Sequence, residues 1–195
     1  MKDTRERLLE AAEQILRQRG LSHLSTREVA REAGVADGAL YHHFADKNEL
    51  LVAVISRESP KYFDAFRNLP LQVGQRTVDE NLKDVAWVFY EFQRHAIPIT
   101  CSLFADMELL EKHRQLLRAN KVGPTRIYDA LTAYLGAEQR LGRVSGAAEL
   151  ASVATVIVGG CFQVAFLETH WGMRQSRAQA RQKTDGVIDA LMRGL

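Results

Sequence analysis

The sequence predicts an all-α fold, and three observations predict it. Apolar residues recur at helical spacing in nearly every segment. Helix-start and helix-stop signals punctuate those segments. No stretch sustains the alternation of a half-buried strand. The expected organisation is an N-terminal three-helix helix-turn-helix domain over residues 1–57 and a larger helical domain over residues 58–195.

The first helix follows from the stripe Leu8, Leu9, Ala12, Ile15 and Leu16, which stops at Gly20. Ser25 starts the second. Ser-x-x-Glu is a capping box, in which the Ser25 hydroxyl accepts from a first-turn N–H while Glu28 reaches back. Val29, Ala30 and Ala33 turn one face inward, and Gly34 suits the left-handed residue that ends many helices. Val35 anchors a tight turn. A short helix follows over roughly Asp37–His43, with Leu40 and Phe44 packing inward. Asp46 and Glu49 form a second capping box, and Leu50, Leu51 and Val54 carry the connecting helix to about residue 57.

Two short helices across a tight turn form a helix-turn-helix, whose second helix lies in the major groove of DNA. The outward positions of that helix are Asp37, Gly38, Ala39, Tyr41, His42 and His43. Small residues let its backbone lie close to the groove, and Ala39 can touch a thymine methyl. Tyr41, His42 and the helix-start N–H groups at Ser25 and Thr26 can donate to phosphates. Lys47 opposes the dipole of the helix it starts, so a phosphate partner explains it better than local stability. Lys2, Arg5 and Arg7 cluster at the amino end and can either reach phosphate or form a solvated helix start.

Residues 4–57 resemble the DNA-binding domain of the TetR-like transcriptional repressors. The resemblance rests on Arg27-Glu28-Val29-Ala30, Ala33-Gly34-Val35, Gly38-Ala39-Leu40-Tyr41-His42-His43-Phe44, Lys47 and Leu50. It adds Arg27 to the DNA-facing set. It implies a homodimer on two-fold operator DNA, and an effector-binding and dimerisation role for residues 58–195. Two positions depart from the family pattern. Ala36 stands where a serine cap is common, which weakens the start of the recognition helix. Asp37 stands where a basic or neutral residue is common. An acid there is repelled by phosphate but can accept from cytosine N4, marking operator preference.

Composition narrows the alternatives. The net charge is only +2, and residues 1–57 hold nine basic and nine acidic residues, so the DNA reading rests on the motif. An architectural protein binding any sequence needs more positive charge. The first residues, MKDTRERLLEAAEQ, read as a charged helix rather than a signal peptide, and a cytoplasmic protein is expected. Cys101 and Cys161 lie far apart without CxxC spacing, so neither a disulfide framework nor a metal site is expected, and no cofactor. A His95–Cys101 nucleophilic pair lacks a third orienting group, so an enzyme is not expected and a buried structural cysteine is.

In the body, Pro60 is expected to break the connecting helix, with a loop at Asn68-Leu69-Pro70 and Gly74. A helix starts at Thr77 or Asp79 and ends near His95. Pro98 is expected to separate it from a helix over Cys101–Glu111. Another runs from about His113 into Tyr134, kinked or broken at Gly123-Pro124, before a turn around Gly136 and Gly142.

Residues 149–171 are apolar nearly all round and so should be buried on more than one side. Glu149, Ser152, Thr155, Gln163 and Glu168 argue against a membrane span. A last helix covers Ser176–Met192 and buries Val187, Ile188 and Leu191. Two such helices from each subunit make a four-helix bundle, and the resemblance implies that these last two helices form the dimer contact. Its expected residues are Ala154, Ile157, Gly160 and Cys161 with Ile188 and Leu191. The resemblance also implies an inducer site. Helical spacing offers Phe104 with Met107 and Phe162 with Phe166 as facing walls, and Phe92, Cys101, Tyr128 and Gln163 as further lining. This lining favours a small apolar or aromatic effector.

Overall fold

The computed structural model describes residues 3–57, 59–119, 123–173 and 175–193. Its α-helices are α1 (Thr4–Arg19), α2 (Thr26–Ala33), α3 (Lys47–Arg57), α4 (Ser59–Asn68), α5 (Val78–Leu103), α6 (Met107–Ala119), α7 (Pro124–Arg140), α8 (Leu150–Trp171) and α9 (Arg177–Met192). Short 3-10 turns cover Leu21–His23, Asp37–His42 and Leu69–Gln72. No strand occurs among the described residues, so the fold is all-α.

The chain forms two compact units. One comprises Met1–Ser59 with Ala96–Asn120, the other Pro60–His95 with Lys121–Leu195. The unit containing the head thus also takes in the end of α5 and all of α6.

In the first unit, Leu8, Ala12 and Ile15 of α1 meet Val29 of α2, Leu40 of the Asp37–His42 turn, Phe44 just after it, and Leu50, Leu51 and Val54 of α3. Ile99, Leu103, Leu109 and Leu110 complete this core. Arg57 fastens α3 to α1, reaching Glu6 at 2.5 Å, Glu10 at 3.2 Å and Glu13 at 3.2 Å.

In the second unit, Tyr62 and Phe66 of α4 pack with Leu82 and Phe89 of α5, Leu131 and Leu135 of α7, Ile157 and Cys161 of α8, and Ile188 of α9. Glu149 caps α8, accepting from the Ala151 and Ser152 N–H groups, and Ser176 and Gln179 form a full capping box on α9. Among the described residues, α8 is the helix long and apolar enough to cross a membrane. Its polar groups nevertheless have work inside the fold. Glu168 is buried, accepts from the Tyr90 hydroxyl and lies 3.4 Å from Arg94.

Several boundaries differ from those expected. Pro98 does not end a helix, because α5 runs through it to Leu103. Proline removes one backbone bond, but burial of Ala96, Ile97, Ile99 and Leu103 outweighs that loss. The Thr100 hydroxyl also donates to the carbonyls of Ala96 and Ile97. The break falls instead at residues 104–106, where Asp106 caps α6 by accepting from Leu109 N–H at 3.0 Å. The chain does break at Gly123-Pro124, with Pro124 opening α7. Gly136 is helical, so the turn contracts to Leu141 and Gly142, where Gly142 has φ 72°.

Candidate nucleic-acid interface

The helix-turn-helix is set by local chemistry. The Ser25 hydroxyl accepts from Glu28 N–H at 3.1 Å. Glu28 does not reach back as a capping box requires; its carboxylate takes Arg31 at 2.5 Å. Gly34 has φ 63° and ψ 42°, the left-handed conformation that closes α2. Arg7 reinforces this turn from α1, donating to Ala33 O at 2.5 Å and Gly34 O at 2.9 Å. Arg7 is therefore occupied as a helix-end cap rather than extended toward phosphate. Arg5 lies over the Phe44 ring at 5.2 Å, and Lys2 falls outside the described residues.

The recognition segment is a 3-10 helix, Asp37–His42, with no side-chain cap at Ala36. The missing serine accounts for that weak start. Leu40 is fully buried and pins the segment, while Tyr41 is 61% exposed. Asp37, Gly38 and His42 are exposed, and Ala39 and Lys47 are half-buried. A Cβ at Gly38 would meet nothing within 4 Å, so the protein's own packing does not demand glycine there. Two contacts join the start of α2 to this segment. The Thr26 and Tyr41 hydroxyl oxygens lie 3.4 Å apart, and Arg27 Nε lies 3.6 Å from Asp37 Oδ2. At the start of α3, Asp46 accepts from Glu49 N–H at 2.7 Å and Glu49 accepts from Ala45 N–H at 2.6 Å, one residue earlier than a standard box. The bond from Glu49 N–H, aided by Lys112 nearby, holds the Asp46 carboxyl below the usual range.

The expected dimer residues need correction. Ala154, Ile157, Cys161 and Ile188 are buried in the protomer's own core, and so cannot be the surface presented to a second copy. Leu191 packs against the same core. A Cβ at Gly160 would sit 2.7 Å from Val187 Cγ1 of the same chain. The α8 face left outward carries Val156, Phe162, Leu167 and Trp171. Burial pushes the Cys161 thiol up to about 12, which removes it as a nucleophile.

The expected effector walls also need correction. Phe104 is 72% and Met107 67% exposed, so neither lines a closed cavity. Cys101 is exposed, contrary to the buried cysteine expected. Phe162 and Gln163 face outward on α8, and Phe162 stacks on half-buried Phe166 at 6.0 Å. Phe92 and Tyr128 are half-buried against the second unit's core, and Phe92 stacks on Tyr62 at 4.1 Å.

A capped helix, a left-handed turn, and an exposed segment pinned by one buried leucine form a helix-turn-helix. Residues 8–54 match the bacterial regulatory proteins of the tetR family. The match covers the N-terminal head, which is similar to the DNA-binding domain of that family. Over 68 residues the chain is 32% identical to an HTH-type transcriptional regulator of Staphylococcus aureus (strain USA300). That match spans 35% of this chain and 37% of the relative. The fold is similar to that of the fatty acid degradation regulator FadR from Bacillus halodurans, with TM-score 0.72, 17% identity and coverage of 96% and 95% of the two chains. It is also similar to FadR from Bacillus subtilis in complex with stearoyl-CoA, with TM-score 0.71, 17% identity and coverage of 97% and 98%.

Proposed function

We propose that this chain is a cytoplasmic transcriptional repressor that binds a two-fold operator as a homodimer and leaves it when a small apolar effector binds the body. The observation that carries the reading is the exposed surface made by Arg27 of α2 with Asp37, Gly38, Tyr41 and His42 on a segment pinned by Leu40. Ser25 and Thr26 present helix-start N–H groups to phosphate, Ala39 offers a methyl to a base, and Lys47 supplies a phosphate charge.

A two-fold operator calls for a two-fold protein. The outward strip of α8, with Val156, Phe162 and Leu167, supports a second copy packing there, and gives this apolar helix a partner other than lipid. The half-buried rings of Phe92 and Tyr128 beside Tyr62 support an apolar effector in the second unit. The stearoyl-CoA bound to FadR of Bacillus subtilis makes a long acyl chain the first class to try. Such an effector acts only through its differential affinity for the DNA-competent and DNA-incompetent states.

Selection of bound sequences from random duplex DNA tests the reading. A two-fold motif is expected, followed by release from it in a screen of acyl-CoAs and aromatic compounds. Failure to enrich any motif contradicts DNA recognition; a motif with no releasing compound contradicts only the effector.

A further inference from the structure

We infer that Asp37 is a positioning residue that holds the Arg27 guanidinium for a guanine base, so that this pair sets one position of the operator; the inference rests on the DNA-binding reading above. Arg27 lies in the first turn of α2 and Asp37 opens the recognition segment. Their side chains are 87% and 68% exposed, so the pair faces solvent rather than the core. An exposed pair of this kind contributes little to stability. An acid on a surface that meets phosphates is also repelled. Neither stability nor general DNA affinity therefore explains aspartate at position 37.

The geometry offers a third explanation. Asp37 Oδ2 approaches Arg27 through Nε. The terminal Nη1 and Nη2 groups form the fork that matches guanine O6 and N7. A carboxylate 3.6 Å from Nε favours one orientation of that fork before DNA arrives, and desolvation at the DNA surface strengthens the pair. It also neutralises part of the charge, which favours a base edge over a diffuse phosphate contact. The contact between Thr26 and Tyr41, one residue before Arg27 and four after Asp37, ties the same two segments together. Lysine cannot replace Arg27 in this role, because it has no Nε edge to be held and no fork to present.

The test is selection from random duplex DNA by the full chain and by Arg27→Ala, Arg27→Lys and Asp37→Ala, with affinities measured on the winning duplex. The wild-type motif is expected to contain a guanine that all three variants cease to prefer. Discrimination at that position should fall roughly 5- to 150-fold. A second measurement needs no stable variant: replacing that guanine by 7-deazaguanine removes the N7 acceptor and should weaken wild-type binding. Retention of the motif by Arg27→Lys would make Arg27 a phosphate contact and overturn the inference. Higher affinity of Asp37→Ala for every sequence with the motif unchanged, or loss of a preferred cytosine in Asp37→Ala alone, would also overturn it. A wild-type motif without an Arg27-dependent guanine defeats this inference alone, whereas no motif at all defeats the DNA-binding reading together with it.

Discussion

Arg7 and Gly34 meet across the turn of the helix-turn-helix: the Arg7 guanidinium donates to the Gly34 carbonyl at 2.9 Å, and to that of Ala33 beside it. The carbonyls at the end of α2 are left over by the helix itself and carry its negative end. A cation from α1 satisfies them and fixes the point where the chain swings into the recognition segment. Arg7→Ala should lower stability by about 1.5–3 kcal/mol, the usual scale for hydrogen bonds to charged groups. Urea unfolding measures it, and an unchanged midpoint would show that the contact contributes nothing.

Gly34 itself should resist substitution. Its φ of 63° disfavours any side chain, and a Cβ would lie 3.2 Å from Arg7 Nη2. Gly34→Ala is expected to cost about 1 kcal/mol or more in the same measurement. No loss would mean that the turn relaxes without strain.

This head was legible in the sequence because its signals are local. Ser25, Gly34 and Asp46 act on neighbours within four residues, and each does so in the structure. Pro98 was misread because its local preference to break a helix is overridden by burial of residues on both sides. The expected dimer residues fall in the protomer's own core for a different reason. Residues 150–171 are apolar nearly all round, so periodicity does not say which side meets the protomer's own core. Helical spacing correctly pairs Phe162 with Phe166, but it says nothing about whether a cavity lies beside them. The Arg57 cluster left a readable trace in Glu6, Glu10 and Glu13, which share a helix face, but nothing local pointed to residue 57 as their partner.

Gly160 now tests packing within the protomer. Since its Cβ would sit 2.7 Å from the stiff, branched Val187, Gly160→Ala should destabilise the chain by about 1–3 kcal/mol. Adding Val187→Ala should recover part of that loss. Thermal melting of the single and double variants measures it, and full stability of Gly160→Ala would contradict the close approach of α8 and α9.

The buried phenols give stability a sign at high pH. Burial, then the bond to Glu168, raises Tyr90 well above its ordinary value of 10. Burial also raises Tyr62 well above that value and pushes Tyr134 up to about 12. The folded state therefore holds these protons more tightly than the unfolded chain does. Stability should be fully present below pH 10 and fall as pH rises above it. Tyr90→Phe should flatten part of that fall while losing about 1 kcal/mol or more at neutral pH from the bond to Glu168. A flat stability profile between pH 9 and 12 would contradict the burial of these hydroxyls.

The outward face of α8 should decide association. Val156→Glu combined with Phe162→Glu places two charges on the proposed contact between copies, and both positions face away from the protomer core. Sedimentation should show a dimer for the parent and a monomer for the variant, with helicity unchanged. A variant dimer as tight as the parent would place the contact elsewhere.

The most direct test of the central claim is the ratio of affinities for a selected two-fold duplex and a random duplex of equal length, measured at fixed salt for the parent and for Tyr41→Ala. The parent is expected to prefer the selected duplex by about 10³-fold or more. Tyr41→Ala should bind both duplexes more weakly by a similar factor, as loss of a phosphate contact requires. Equal affinity of the parent for the two duplexes, or unaltered binding by Tyr41→Ala, would contradict sequence-specific recognition through this surface.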